Sequence, residues 1–262
     1  MKHEAGFLTW LEIKQAAKSG RVLFLPIGST EANGPHLPLS TDSIIAKYFS
    51  RELAKRVNGL SLPPIYYGCS EAFRGFSGTI WLRSSTLQAI VEDICQALSE
   101  HGFKHLIIVN NHGSNEPAIE NAIRRTMRGS SLKIISVWPS SIIRQIAVQS
   151  IFKQTPEVIG HGGQPMTSII QAIEPDAVRL DLASNDAKVL KSSGQFNTLN
   201  STSSLFHGYK VNRYVEIHEV SDSSQTGDAL AGSAEIGKQL LDELLTWGTK
   251  LVNAFLNEGK NE

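Results

Sequence analysis

Short apolar segments alternate along this chain with longer segments in which apolar residues recur every three or four positions. Short apolar runs are typical of buried strands, and a period of about 3.6 residues is typical of amphipathic helices. The predicted strands cover residues 22–27, 65–67, 106–110 and 134–138, with a fifth near residues 211–220. The predicted helices cover residues 43–57, 86–99, 116–128, 166–173 and 234–255. This alternation predicts an α/β fold in which helices cover both faces of a mostly parallel sheet.

The pattern gives no sign of a boundary between domains. At 262 residues the chain lies near the upper size of a single hydrophobic core, about 250–300 residues. Residues 184–204 are rich in serine and asparagine, and we interpret them as an exposed excursion rather than as a linker. We therefore predict a single domain over residues 1–262.

Composition and charge exclude several classes of function. Lysine and arginine together number 25, as do aspartate and glutamate, so no excess of positive charge attracts nucleic acid or an acidic membrane. The sequence has no apolar run near the length of about 20 residues that a membrane span needs. Its two cysteines, Cys69 and Cys95, lack the spacing of a disulfide framework or a zinc site. Since no signal-peptide pattern is present either, we predict a cytoplasmic protein that binds neither nucleic acid nor membranes.

Two polar loops directly follow predicted strands. Residues 28–42 hold Glu31, His36 and Asp42, and residues 110–115 hold His112. The first loop is much longer than the about 2–6 residues that a connection in an α/β domain needs. Because ligands bind outside the carboxyl ends of parallel strands, the two loops predict a functional site at that edge of the sheet.

Glu31, Asp42 and His112 form a set of candidate metal ligands. Two carboxylates and an imidazole suit zinc, manganese or iron(II), with positions left open for water and substrate. A bound divalent ion lowers the pKa of its water toward about 7 and polarises a carbonyl group. Each residue also has a structural alternative: Asp42 as a helix N-cap, His112 as a core histidine and Glu31 as a solvated loop residue. For His36, which lies between two prolines, the alternative is a structural hydrogen-bond donor.

A third candidate site loop covers residues 159–168. His161 lies among three glycines, which permit close backbone approach, and Pro165 suits the first turn of a helix. A glycine-rich loop before a helix is also typical of phosphate binding, but this loop lacks both the P-loop lysine and the dinucleotide-binding glycine spacing. His161 is therefore either a residue of a functional site or an ordinary residue of a turn.

Five short motifs occur in order over most of the chain. They are residues 28–42 with Glu31, His36 and Asp42, residues 76–80 (Phe-Ser-Gly-Thr-Ile), residues 107–115 with His112, residues 161–168 with His161, and residues 226–228 (Thr-Gly-Asp). Together they resemble the motifs of the creatininase, or creatinine amidohydrolase, family. On this resemblance the chain is identified as a divergent member of that family.

The resemblance implies a three-layer α/β/α domain, a homo-oligomer that is often a hexamer, and a binuclear metal site that hydrolyses C–N bonds of amides. By position, Glu31, Asp42 and His112 match metal ligands, and Asp42 is expected to bridge the two ions. His36 and His161 match site histidines and are the candidate catalytic residues. His161 is the candidate acid/base or carbonyl-polarising group.

The chain departs from the family pattern around the second metal. Asn33 stands where the family usually has a histidine ligand, and Ser114 stands where creatininase itself has a glutamate. Gln164 and Met166 stand where the third motif usually carries glutamates. Neutral amides and a thioether bind a divalent ion more weakly than carboxylate or imidazole does. We therefore expect one firmly bound ion and a second that is weak or absent, with Asn33, Ser114 and Gln164 as candidate substrate-binding residues.

The leading function that follows is a metal-dependent hydrolase of a small cyclic amide or a formamide. In it a metal-bound water attacks the carbonyl, and His161 or His36 transfers a proton to the leaving nitrogen. The alternative is a degenerate family member that binds a small ligand without hydrolysing it. The four departures from the family pattern, all around one site, favour this alternative. Metal content distinguishes the two hypotheses, because only the hydrolase requires the ion.

Overall fold

The central sheet is parallel and has four strands. The computed structural model describes residues 2–183 and 190–258 of the chain. The strands are β1 (Leu23–Ile27), β2 (Leu60–Ser61), β3 (His105–Asn110) and β4 (Lys133–Val137), in the spatial order β2-β1-β3-β4. All three pairings are parallel, and Ile27 lies opposite Asn110 at the carboxyl ends of β1 and β3. The polar loops that follow β1 and β3 therefore leave the sheet side by side.

Helices cover both faces of this sheet. They are α1 (Trp10–Lys18), α2 (Thr41–Arg56), α3 (Ser84–Glu100), α4 (Glu116–Met127), α5 (Pro139–Gln149), α6 (Met166–Ile173), α7 (Ile217–Val220) and α8 (Ala234–Asn257). Successive strand residues point to opposite faces, so that Ile107 packs with α2, α5, α6 and α8, whereas Leu106 packs with α1, α3 and α4. The predicted three-layer α/β/α fold is confirmed.

Three predicted strands and all five predicted helices correspond to elements of the structure, but the predicted strand at residues 65–67 is wrong. The edge strand is β2 instead, and Ile65 forms only an isolated bridge with Ile27. Pro63 and Pro64 come directly before Ile65. Proline lacks the backbone N–H that a strand ladder uses, so these two residues keep the segment from continuing the sheet.

A second, antiparallel sheet overlaps the end of the region predicted as a polar excursion. Its strands are β5 (Phe196–Asn200), β6 (Ser203–Phe206) and β7 (Tyr209–Asn212), in the order β5-β6-β7. The buried side chains there include Ser203 and Ser204, which a hydrophobic pattern does not detect. The predicted fifth strand near residues 211–220 is correct only for the part in β7, because α7 occupies its end. Residues 184–189 of the polar segment lie outside the described residues.

Three helices were not predicted, namely α1, α5 and the four-residue α7, and the sequence carries a signal for the first two. Thr9 and Glu12 form a capping box at the start of α1, with each side chain bonded to the other residue's backbone N–H. Pro139 opens α5 directly after β4, a position that proline favours because its missing N–H is not needed there. Within residues 2–183 and 190–258 no helix combines the length and apolar character needed to cross a membrane.

Gly28 brings the end of β1 against the start of α2. A Cβ atom at this position would overlap the backbone N and Cα of Ser43, so only glycine fits. The Ser43 hydroxyl also donates to the carbonyl oxygen of Ser29 at 3.0 Å. This close approach places the first turn of α2, which contains Asp42, beside the carboxyl end of β1.

Helices α6 and α8 are in backbone contact at Gly237. A Cβ atom there would overlap the carbonyl oxygen of Ser168 and would lie 3.0 Å from the Cβ of Ala172. The start of α8 is set by Ser233, whose side chain accepts a hydrogen bond from the backbone N–H of Ile236. The position of α6, which follows the His161 loop, therefore depends on the absence of a side chain at residue 237.

Candidate metal centre

Glu31, Asp42 and His112 converge at the carboxyl ends of β1 and β3. One potential ligand atom from each residue lies within 4.8 Å of the other two, and all three residues are buried. Glu31 comes from the loop after β1, Asp42 from the first turn of α2, and His112 lies two residues after the end of β3. The structure thus brings together the three side chains that the sequence predicts as metal ligands.

Both oxygens of the Asp42 carboxylate accept hydrogen bonds from neutral donors. The Ser29 hydroxyl donates to Oδ2 at 2.8 Å, and Nδ2 of Asn111 donates to Oδ1 at 3.1 Å. The amide of Asn111 has a fixed orientation, because its Oδ1 accepts from the backbone N–H of Ser140 at 2.9 Å and from the Ser140 hydroxyl at 2.8 Å. The N-cap position of α2 is Ser40. The N-cap alternative for Asp42 is therefore wrong.

The His112 ring lies between a backbone carbonyl and the two carboxylates. Its Nε2 lies 3.3 Å from the carbonyl oxygen of Cys69 and donates to it. Its Nδ1 lies 3.1 Å from Oδ2 of Asp42 and 3.4 Å from Oε2 of Glu31. In the neutral ring with its proton on Nε2, the Nδ1 lone pair faces two negative groups. That arrangement is favourable only when a cation, either a proton or a metal ion, lies between them.

The pKa values of this group reflect the same demand for positive charge. Burial lowers the pKa of His112, but the charges of Glu31 and Asp42 and the hydrogen bond to Asp42 outweigh burial and raise the pKa to about 9. Burial raises the pKa of Asp42, but the hydrogen bond and charge of His112 and the hydroxyl of Ser29 hold it below its ordinary value. A divalent ion competes with the proton for this position, because metal ligands bind in their deprotonated form.

His161 contacts the other oxygen of the Glu31 carboxylate. Its Nδ1 lies 2.8 Å from the carbonyl oxygen of Ser224 and donates to it, while its Nε2 lies 3.3 Å from Oε1 of Glu31. The ring stacks on Phe73 with 4.7 Å between the ring centroids. With the proton of the neutral ring on Nδ1, the Nε2 lone pair points at a carboxylate. In their neutral forms, both histidines that contact Glu31 therefore direct an acceptor nitrogen toward it.

The loop that carries His161 is fastened to residues 224–228. The backbone N–H of Thr226 donates to the carbonyl of His161 at 2.7 Å, and the backbone N–H of His161 donates to the Thr226 hydroxyl at 2.8 Å. A Cβ atom at Gly160 or Gly163 would overlap the carbonyl oxygen of Thr226. Close backbone approach therefore explains these glycines.

Glu31 is the most enclosed of the three candidate ligands. Its relative exposure is 1 %, and its Oε2 accepts no hydrogen bond in the described parts of the chain. A buried carboxylate oxygen without a donor is costly unless a cation lies beside it. His112, whose other ring nitrogen donates to a backbone carbonyl, has the arrangement that metal-bound histidines usually show. The residues present therefore fit a divalent ion.

His36 and Asn33 pack near the His161 loop. Nε2 of His36 lies 2.9 Å from the hydroxyl of Thr167, which itself donates to the carbonyl of Gly162 at 3.1 Å, so His36 is the donor. Burial lowers the pKa of His36. Nδ2 of Asn33 donates to the backbone carbonyl of Glu31 at 3.4 Å. The contacts of His36 match its structural alternative.

Gln164 and Ser114 differ in their surroundings. Nε2 of Gln164 donates to the carbonyl of Ala229 at 2.8 Å, and its Oε1 accepts from the hydroxyl of Ser168 at 2.6 Å. Both polar atoms of this buried side chain are thus used within the protein. Ser114 is exposed, in the short 3-10 helix Gly113–Asn115 that follows His112.

Ser29 and Ser140 support the site, and sequence reasoning missed both. Ser29 lies two residues after the end of β1, and Ser140 lies three residues after the end of β4. The rule that sites lie at the carboxyl ends of parallel strands applies to β4 as well as to β1 and β3. Ser140 was overlooked because the helix that it begins was not predicted.

Replacing Asn111 by alanine is expected to weaken the binding of a divalent ion by about 10- to 100-fold, the usual effect of losing a residue that orients a ligand. The variant removes a donor from Asp42 and leaves Ser140 without its acceptor. Competition with a chromophoric chelator measures the affinity for zinc. Asn121→Ala, on an exposed position of α4, is the control. An affinity equal to that of the unmodified protein would show that Asp42 is oriented without Asn111.

Comparison with known proteins identifies relatives of this chain. The family model described as creatinine amidohydrolase matches residues 7–252. The creatinine amidohydrolase of Pseudomonas putida is 29 % identical over 194 residues, which cover 67 % of this chain and 74 % of that protein. A mycofactocin precursor peptide peptidase of Mycobacterium ulcerans is 36 % identical over 112 residues, which cover 39 % of this chain and 44 % of that protein.

Solved structures agree with this relationship at the level of the fold. A crystal structure of creatinine amidohydrolase (creatininase) has a TM-score of 0.80 and 24 % identity, and the match covers 96 % of each chain. A structure described as "Creatininase Mn" has a TM-score of 0.78 and 24 % identity, covering 96 % of this chain and 98 % of that one. Since the family model also spans nearly the whole sequence, the chain is a member of the creatininase family.

Proposed function

We propose that this protein is a metal-dependent hydrolase that cleaves the C–N bond of a small amide, such as a cyclic amide or a formamide. The observation that carries the proposal is the demand for positive charge at Glu31, whose buried carboxylate lies 3.4 Å from Nδ1 of His112 and 3.3 Å from Nε2 of His161. Support also comes from the names of its relatives, which include a creatinine amidohydrolase and a peptide peptidase.

Glu31, Asp42 and His112 would hold the ion. Zinc, manganese or iron(II) bound there supplies an activated water and polarises the amide carbonyl. The contacts of Asp42 favour one ion per chain, because Oδ1 already accepts the amide hydrogen of Asn111. Residues that depart from the family pattern also have other partners. Gln164 bonds Ala229 and Ser168, and Sδ of Met166 lies 3.1 Å from the Ser140 hydroxyl. A second ion is therefore expected to bind weakly or not at all.

His161 is the residue that we assign to proton transfer. Its Nδ1–H is held by the carbonyl of Ser224, so Nε2 is free to accept a proton and to release it to the leaving nitrogen. The stacking on Phe73 fixes the plane of the ring. His36 is the weaker candidate, since its Nε2–H is directed at Thr167. Asn33 and Ser114 remain candidate substrate contacts.

Elemental analysis of the purified protein, alone and after incubation with zinc or manganese, tests the metal site. We expect about one ion per chain in the unmodified protein and none in Asp42→Ala. Asp222→Ala removes an exposed carboxylate that pairs with Lys191 and is the matched control. Two tightly bound ions would contradict the single-ion proposal. No ion after reconstitution would favour the alternative of a ligand-binding protein without catalysis.

Hydrolysis of creatinine, other cyclic amides, formamides and short peptides tests the reaction. His161→Asn is expected to keep its metal and to lose about 100- to 10,000-fold in kcat, the usual contribution of a general acid or base. Asp42→Ala loses both metal and activity. If His161→Asn keeps full activity on a substrate that the unmodified protein cleaves, the assignment of His161 fails while the metal proposal stands.

Three further expectations from the sequence stay predictions. They are a single domain over residues 1–262, a homo-oligomer that is often a hexamer in this family, and a cytoplasmic location. Sedimentation and fractionation measurements address the last two directly.

A further inference from the structure

Arg144 lies on the side of α5 that reaches the candidate metal centre. It follows Ser140 by four residues, and residues at this spacing share one face of a helix. Ser140 holds the amide of Asn111, which in turn donates to Asp42. Arg144 is therefore one helical turn from a residue that belongs to the support of the site.

The guanidinium of Arg144 has no counterion in the described parts of the chain. Its Nε is shielded from solvent and makes no hydrogen bond, and no ion pair or stacked ring accompanies it within residues 2–183 and 190–258. Burial lowers the pKa of Arg144, and the negative charge of Asp42 acts in the opposite direction. An arginine nevertheless keeps its charge in a protein, so this residue is a half-buried cation without a partner in the described parts of the chain.

The nearby carboxylates do not supply that partner. The oxygens of Asp42 accept from Ser29 and Asn111, and Oδ2 also lies 3.1 Å from His112. With a divalent ion bound, the two negative charges of Glu31 and Asp42 are balanced by the ion. The positive charge of Arg144 is then left over, and a ligand that carries one negative charge would balance it.

We propose that Arg144 binds a carboxylate of the substrate, so that the substrate class is an amide with a separate carboxylate group. This inference rests on the proposed function, because it places the scissile amide at Glu31, Asp42 and His112. A guanidinium offers Nε–H and Nη–H in parallel, which matches the two oxygens of a carboxylate. The unused Nε of Arg144 is one of these two donors.

Binding of two matched probes tests the proposal without requiring catalysis. Succinamate carries an amide and a carboxylate, and succinamide is its neutral counterpart. By calorimetry on the zinc-treated protein, we expect succinamate to bind about 10- to 100-fold more tightly than succinamide. In Arg144→Met this ratio should fall to near one. Arg144→Lys keeps the charge but loses the paired donors, so an intermediate ratio is expected. Arg128→Met, at the exposed position directly after α4, should leave the ratio unchanged.

Stability provides a second measurement on the same variants. Removing a half-buried charge that has no partner should raise the Tm of Arg144→Met by about 2–4 °C in the absence of ligand. Equal preference of the unmodified protein and Arg144→Met for succinamate would overturn the proposal. The proposal would also be overturned if Arg144→Met had a lower Tm and a changed oligomeric state, because Arg144 would then pair with another subunit. Failure of the proposed function is distinguishable, since a metal-free protein that keeps the Arg144-dependent ratio would refute only the hydrolase reaction.

Discussion

Glutamine in place of Glu31 is expected to abolish hydrolysis and to weaken binding of a divalent ion by more than about 100-fold. Losing a residue that merely orients a ligand costs about 10- to 100-fold, and Glu31 is a proposed ligand itself. The substitution keeps the shape of the side chain but removes the negative charge that faces His112 and His161. Metal affinity is measured by competition with a chelator, and activity by hydrolysis of the best amide found in the screen.

Two further variants make this result specific to the charge at residue 31. Glu31→Asp keeps the carboxylate one methylene further back, and we expect it to recover part of the metal affinity. Glu100→Gln removes an exposed carboxylate at the end of α3 and should behave like the unmodified protein. If Glu31→Gln binds zinc as tightly as the unmodified protein, the ion is held elsewhere and the proposed centre is wrong.

The second large effect concerns stability. Gly237→Ala is expected to lower the free energy of unfolding by about 3 kcal/mol, because the added methyl group overlaps the backbone carbonyl of Ser168 and neither helix can yield easily. For a protein of this size the corresponding fall in Tm is about 6–12 °C. Urea unfolding followed by circular dichroism measures the free energy.

Gly129→Ala is the matched control for that experiment. No atom lies within 4 Å of a Cβ placed at Gly129, so the same chemical change meets no neighbour there. Its effect should stay within about 0.5 kcal/mol of zero, as for most surface substitutions. If Gly237→Ala unfolds at the same urea concentration as Gly129→Ala, then α6 and α8 are not in the close contact described above.

The convergence of the three proposed ligands was predictable from the sequence, because the position of the loops and the chemistry of their side chains point to the same place. Parallel strands direct their carboxyl ends to one edge, and the loops after residues 27 and 110 each carry chemistry-bearing side chains. No single residue carried the prediction, since Glu31, Asp42 and His112 each had a structural alternative. Because the two loops follow adjacent strand ends, the interpretation of the three residues together as a metal site was stronger than the interpretation of any one of them alone.

What the sequence could not supply is the orientation of individual side chains. The role of Asn111 depends on Ser140, which lies on a helix that the pattern did not reveal. Because α5 was not predicted, Arg144 was not recognised as a site residue from the sequence either. The buried serines of β6 show the complementary limit, because this strand lies between two others and its small polar residues are covered, although a hydrophobic pattern places them at the surface.

The division of the site between two parts of the chain affects how the protein can evolve. The three proposed metal ligands all come from residues 31–112, whereas His161 is positioned by its loop and by residues 224–228. Mutations in the later segments can therefore alter or remove the proton transfer that we propose for His161, while the three proposed ligands stay in place. A lineage built this way can change its reaction in small steps, without first losing the ability to bind a metal.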